Sequence, residues 1–224
     1  MNEETTMKDP SGIPEKYYLP TAIFDSDHEA IKKKTLELTQ GLDNPIENAK
    51  ALFYFVRDRI LYNLHVEKHM PEHFRASNTL ERGKGYCVQK AVLLVTLARS
   101  AGIPARLGLA KIRNNLVPRK LLDILKTNIF PWHGYADLYL DGKWVKATPA
   151  FDIQTCETNG FVPVEFDGRN NAMLPSHDKQ GNVHVEYLLD RGPFDSVPLD
   201  NIRKALIERN MLDPREIVSP SEIN

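Results

Sequence analysis

One apolar segment constrains this chain more than any other. Gly83-Lys84-Gly85-Tyr86-Cys87 is a glycine-flanked turn, and the residues from Val88 onward read as a strongly apolar helix. Val88, Ala91, Val92, Val95 and Ala98 recur at steps of three and four, so one face is continuous and the helix is apolar enough to be central. Gly102 and Pro104 end it. Ala105 to Ile112 then reads as a strand, which sets a sheet against that helix.

The flanking segments are punctuated in the same way. Residues 1–24 carry Pro10, Pro14 and Pro20 and are expected to run extended over the surface. Ser26-Asp27-His28-Glu29 has the form of a capping box opening a helix through about Gln40, with Gly41 as its stop. Asn44 and Pro45 suit the N-cap and first position of another helix. Its residues Ile46, Ala49, Phe53, Val56 and Ile60 form one core-facing stripe. Trp132 to Leu140 alternates as a strand does. Asp141-Gly142 supplies a type I′ turn, and Lys143 to Thr148 returns as the partner strand. Beyond Asp152, residues 153–195 read as short strands and loops, Leu199 to Met211 as a last helix, and the tail after Pro214 as mobile. With 224 residues, the expectation is one domain over 25–211, preceded by the extended 1–24 segment and followed by a 212–224 tail.

The chemistry concentrates at Cys87. A thiol at a helix start faces free N–H groups and the positive end of the dipole, which favour the thiolate, the nucleophilic form. An arbitrary cysteine is more often a small core residue. Two glycines, Lys84 and the helix start argue for chemistry here. A base is available downstream, because His133 opens the Trp132–Leu140 strand. A cysteine and a distant histidine brought together only by folding is the layout of a thiol hydrolase or acyltransferase.

These residues resemble the transglutaminase-like superfamily. Gly85-Tyr86-Cys87 and Gly102-Ile103-Pro104-Ala105-Arg106 match its nucleophile helix. His133-Gly134-Tyr135-Ala136-Asp137 matches its histidine strand, and Trp144-Val145 the strand after it. The match covers about residues 45–152, and it is the combination that is specific. The resemblance implies an α+β fold with a papain/transglutaminase-like core, in which a nucleophile-bearing helix packs on an antiparallel sheet. It also implies a Cys87–His133 pair acting on an amide or ester carbonyl of a peptide, protein or small amide. Where the family carries an Asp before proline, this chain has Thr148. A threonine hydroxyl can orient an imidazole but cannot stabilise its charged form. Asp152 has the better chemistry if the chain turns back after Pro149, with Thr148 as the alternative third member. That departure keeps open a second class, a non-catalytic domain binding a peptide or protein.

Other functions fit less well. A net charge of −1 with interspersed signs leaves no footprint for nucleic acid or an anionic membrane. No apolar run approaches the ~20 residues of a membrane helix. The first residues lack the apolar stretch of a secretory signal, and two cysteines make no disulfide framework. A cytoplasmic protein is the expectation. His65, His69 and His73 have the spacing of a helical zinc site, but Pro71 breaks the helix, so a surface cluster is the reading. Gly83-Lys84-Gly85 lacks the upstream glycine and following Ser or Thr of a phosphate loop. Peptide glycanases share the core but add paired Cys-x-x-Cys zinc ligands, which two isolated cysteines cannot build. No cofactor and no metal are expected.

Overall fold

A computed structural model describes residues 12–209 and 212. In chain order the elements are α1 (Glu29–Thr39), α2 (Pro45–Arg59), β1 (Leu61–Tyr62), α3 (Ala76–Arg82), β2 (Lys84–Gly85), α4 (Cys87–Ser100), β3 (Ala105–Asn114), α5 (Arg119–Leu125), β4 (Ile129–Leu140), β5 (Lys143–Ala147), α6 (Ile153–Asn159), β6 (Val185–Phe194) and α7 (Leu199–Ile207). The architecture is α+β. The four-stranded sheet has order β5-β4-β3-β6, with every neighbouring pair antiparallel. Helix α4 packs on β4 and β3, with α1, α2 and α3 around it.

The central helix is buried from Val88 to Arg99, as its composition requires. That burial encloses polar side chains, which must find partners. Lys90 is fully buried and its Nζ donates to the carbonyls of Arg57 (3.0 Å) and Ile60 (2.5 Å), which the end of α2 leaves open. Gln89 donates through Nε2 to the carbonyls of Glu67 and His73 and accepts the Tyr86 amide on Oε1. It fastens the 63–75 loop to the start of α4.

Gly134 decides how close sheet and helix come. A Cβ there would stand 2.6 Å from Val88 Cα and 3.1 Å from the Cys87 carbonyl oxygen. Only glycine lets β4 press on the first turn of α4. At the far end of β4, Asp141 (φ 47°) and Gly142 (φ 79°) both take positive φ, as a type I′ turn demands.

Several elements differ from the sequence reading. Helix α1 starts at Glu29, because the His28 ring, not Ser26, accepts the Ala30 amide. The stretch 12–24 is packed rather than laid over the surface. Phe24 is fully buried, and the Tyr17 ring meets Trp144 at 5.4 Å. Residues 153–159 form α6, capped by the Asp152 carboxylate, where loops were expected. Strand β6 is one long edge strand, because β3 supplies a template for it along its length. Helix α7 ends at Ile207, before the expected Met211. The expectations for residues 1–11 and for most of the 212–224 tail lie outside the described residues. Among the described residues no helix is long and apolar enough to cross a membrane.

Candidate active site

Cys87 is the first residue of α4 and His133 lies in β4. The parallel pairing of Tyr62 with Gly85 fixes the approach to Cys87, and the close passage of Gly134 brings β4 against it. Both side chains line one pocket of about 90 Å³, walled by Tyr62, Tyr86, Trp132 and Phe151 and covered by α7. The backbone amides around the Cys87 sulfur, those of Gly134 and Val88 foremost, favour its anion. Burial outweighs them and pushes the thiol up to about 11. The thiolate expected from the helix start is therefore not the resting form. Burial likewise depresses His133, to about 4. At neutral pH the pocket therefore holds a thiol and a neutral imidazole in its wall.

His133 Nε2 is buried, with no hydrogen-bond partner among the described residues. The β4–β5 register pairs Ala136 with Ala147. β5 ends there, and the Thr148 amide turns to the Ala172 carbonyl (2.8 Å) instead of continuing along β4. Thr148 is fully buried, and its hydroxyl donates to the Met173 sulfur at 3.7 Å. The Tyr187 ring meets His133 edge-on at 6.0 Å. Asp152 is not joined to His133 by any hydrogen bond. Its carboxylate accepts from the amides of Tyr62 (2.7 Å) and Thr155 (2.8 Å) and from the Thr155 hydroxyl (2.9 Å). These bonds and the buried Lys90 charge hold its pKa below the usual carboxylate value, against desolvation. The turn after Pro149 aims Asp152 at β1 and α6 because a helix N-terminus offers its amides there.

Other motif residues build the scaffold. Arg106 faces Asp137 across β3 and β4, bonds it at 2.8 Å, and lays its guanidinium 3.8 Å from the centre of a Trp144 ring. Among the histidines of the 65–73 run, His73 accepts the Met70 amide on Nδ1 (3.2 Å) and closes a loop. Among the described residues no three His, Cys, Asp or Glu side chains gather as a metal site would need. The sequence reading missed Lys68 and Arg209, which also line the pocket. One sits in an aperiodic loop and the other just past the end of α7, so no local pattern marks either.

A second buried imidazole shares the electrostatic state of His133. His184 is stacked on Phe161 (4.0 Å), both its nitrogens lack partners, and burial lowers it to about 4 despite Asp178. Unfolded histidine protonates near 6.5, so between pH 6.5 and 4 the unfolded chain binds more protons than the folded one. Stability is therefore expected to fall as pH drops through that window, by roughly 2 to 3 kcal/mol per ring at pH 4.5. Urea midpoints at pH 7.5 and 4.5 measure this, and His184→Phe should remove about half the difference. An unchanged midpoint would mean that both rings gain partners on protonation.

A transglutaminase-like superfamily model matches residues 32–149, more than half of the chain. No curated protein matches it. Among solved structures, a candidate cysteine protease from Cytophaga hutchinsonii superposes with a TM-score of 0.51 at 15% identity, over 82% of this chain and 47% of that one. A candidate protease from Parabacteroides distasonis (TM-score 0.41, 16% identity) is matched over 57% of this chain and 24% of its own. The periplasmic domain of TgpA from Pseudomonas aeruginosa (TM-score 0.43, 20% identity) is matched over 62% of this chain and 48% of its own. The chain thus spans about half the length of the Cytophaga protein, and the likeness at this identity is one of fold. With the helix-start cysteine, the histidine strand and the Arg106–Asp137–Trp144 scaffold, the match over residues 32–149 makes this chain a member of the transglutaminase-like superfamily.

Proposed function

We propose that the protein is a thiol hydrolase acting on an amide or ester carbonyl through Cys87 and His133. The observation that carries this reading is their shared pocket, where Gly134 of β4 presses on the first turn of α4 beside Cys87. As the substrate carbonyl approaches Cys87 Sγ, His133 takes the thiol proton and the S–C bond forms. The Cys87 amide is the natural donor to the developing oxyanion. The tetrahedral adduct collapses to a thioester as the C–N or C–O bond breaks, and the imidazolium protonates the leaving group. Water then attacks the thioester, His133 takes its proton, and the Cys87 thiol is restored. An amine in place of water would make the same site an acyltransferase; water is the more abundant acceptor.

Among the described residues no carboxylate is hydrogen-bonded to His133, so the reading is a dyad, with His133 held by packing on Tyr187. Thr148, which acts on the Tyr187 hydroxyl, is a positioning residue through that ring. Asp152 is also a positioning residue, because it ties the Tyr62 wall of the pocket to α6.

A second reading, a non-catalytic binding domain, is favoured by the unpartnered His133 Nε2 and the neutral resting pair. Incubation with p-nitrophenyl acetate separates the two. The hydrolase reading expects turnover together with a trapped acetyl group on the Cys87 peptide. Neither turnover nor adduct above a Cys87→Ala control would leave the binding reading standing.

A further inference from the structure

The Cys87 pocket is unequal in its charges and in its donors. Lys68 and Arg209 line it, and among the described residues no Asp or Glu does. The Lys68 ammonium is buried in the wall, anchored by the carbonyls of Leu64 (2.6 Å) and Val66 (3.1 Å). An ammonium has three donors, so one is left over. It lies 5.8 Å from the centre of the Tyr86 ring, and its charge acts on Cys87. Arg209 spends its terminal nitrogens on the carbonyls of Ala205 and Ile129, and among the described residues its buried Nε has no acceptor. The Tyr86 hydroxyl is likewise buried without a partner. Three donors on the wall of one small apolar cavity thus lack acceptors, and two of them are cationic. Unpaired buried donors and charges are costly unless a ligand completes them.

We propose that this pocket takes an acyl group carrying a carboxylate, bound by Lys68, Tyr86 and Arg209, with the aromatic wall around its carbon chain. The proposal rests on the reading of Cys87 as the reactive thiol and names the substrate class of that site. Burial also lowers the Lys68 pKa to about 8, and a bound carboxylate would relieve that cost. A cavity of about 90 Å³ suits a short acyl chain.

The test needs no turnover. Iodoacetate and iodoacetamide differ by a carboxylate and both alkylate a thiol by displacing iodide. Their rates at Cys87 are read by peptide mass mapping and compared with their rates on glutathione in the same buffer. The iodoacetate-to-iodoacetamide ratio at Cys87 is expected to exceed that of glutathione about tenfold or more, as a cation-lined cleft concentrates anions. It should fall toward the glutathione value in Lys68→Met and, independently, in Arg209→Gln, each confirmed folded by thermal melting. A wild-type ratio at or below that of glutathione overturns the proposal, as does a ratio unmoved by both substitutions. Failure of both reagents to reach Cys87 in the folded protein overturns it too. A raised ratio in a protein that hydrolyses nothing would sink the hydrolase reading and leave this one intact.

Discussion

Replacing Cys87 by alanine is expected to lower kcat/KM for any ester or amide that the protein turns over by about a thousandfold or more. His133→Ala should do nearly the same, and the double change should cost little beyond either single one. Members of one catalytic unit are strongly non-additive, because without the proton acceptor the thiol is no better a nucleophile than its pKa allows. The structure makes this dependence steep. A thiol pushed up to about 11 by burial is almost wholly protonated at neutral pH, so His133 must take the proton during attack. Two additive, modest losses would show that the two side chains act separately. Full activity in Cys87→Ala would assign the reaction to another site.

Gly134→Ala is expected to have the next largest effect, on stability and reactivity together. The new methyl would stand 2.6 Å from Val88 Cα, against helix backbone rather than the end of a flexible side chain. Either β4 lifts from α4 or the first turn of α4 shifts, and both separate Cys87 from His133. Overpacking of this kind costs about 1 to 3 kcal/mol or more. It should appear as a lower urea midpoint together with loss of p-nitrophenyl acetate turnover. A variant with wild-type midpoint and turnover would show that the contact between β4 and α4 is looser than described and does not set the site.

Much of this arrangement is already local in the chain. The central helix, the Asn44–Pro45 start of α2 and the Asp141-Gly142 hairpin follow from hydrophobic period, capping chemistry and turn chemistry. Cys87 and His133 stand out because one begins α4 and the other lies in β4, elements whose period can be read within a dozen residues.

Partner choice was not local. Asp152 and Thr148 both looked able to orient His133, since sequence spacing says nothing of where a carboxylate finds its donors. The fold offered Asp152 the Tyr62 amide and the α6 N-terminus, and gave the Thr148 hydroxyl to the Met173 sulfur, 25 residues away. Helix α6 and strand β6 escaped the sequence for a related reason: a cap and a neighbouring strand stabilise them more than their own propensity does. The pocket's charge was likewise decided only in three dimensions, where Lys68 and Arg209, 141 positions apart, come to one cavity. Period and capping act within a few residues and are written in the chain. Burial, which sets both pKa values at the site, depends on everything packed around it and exists only once the chain has folded.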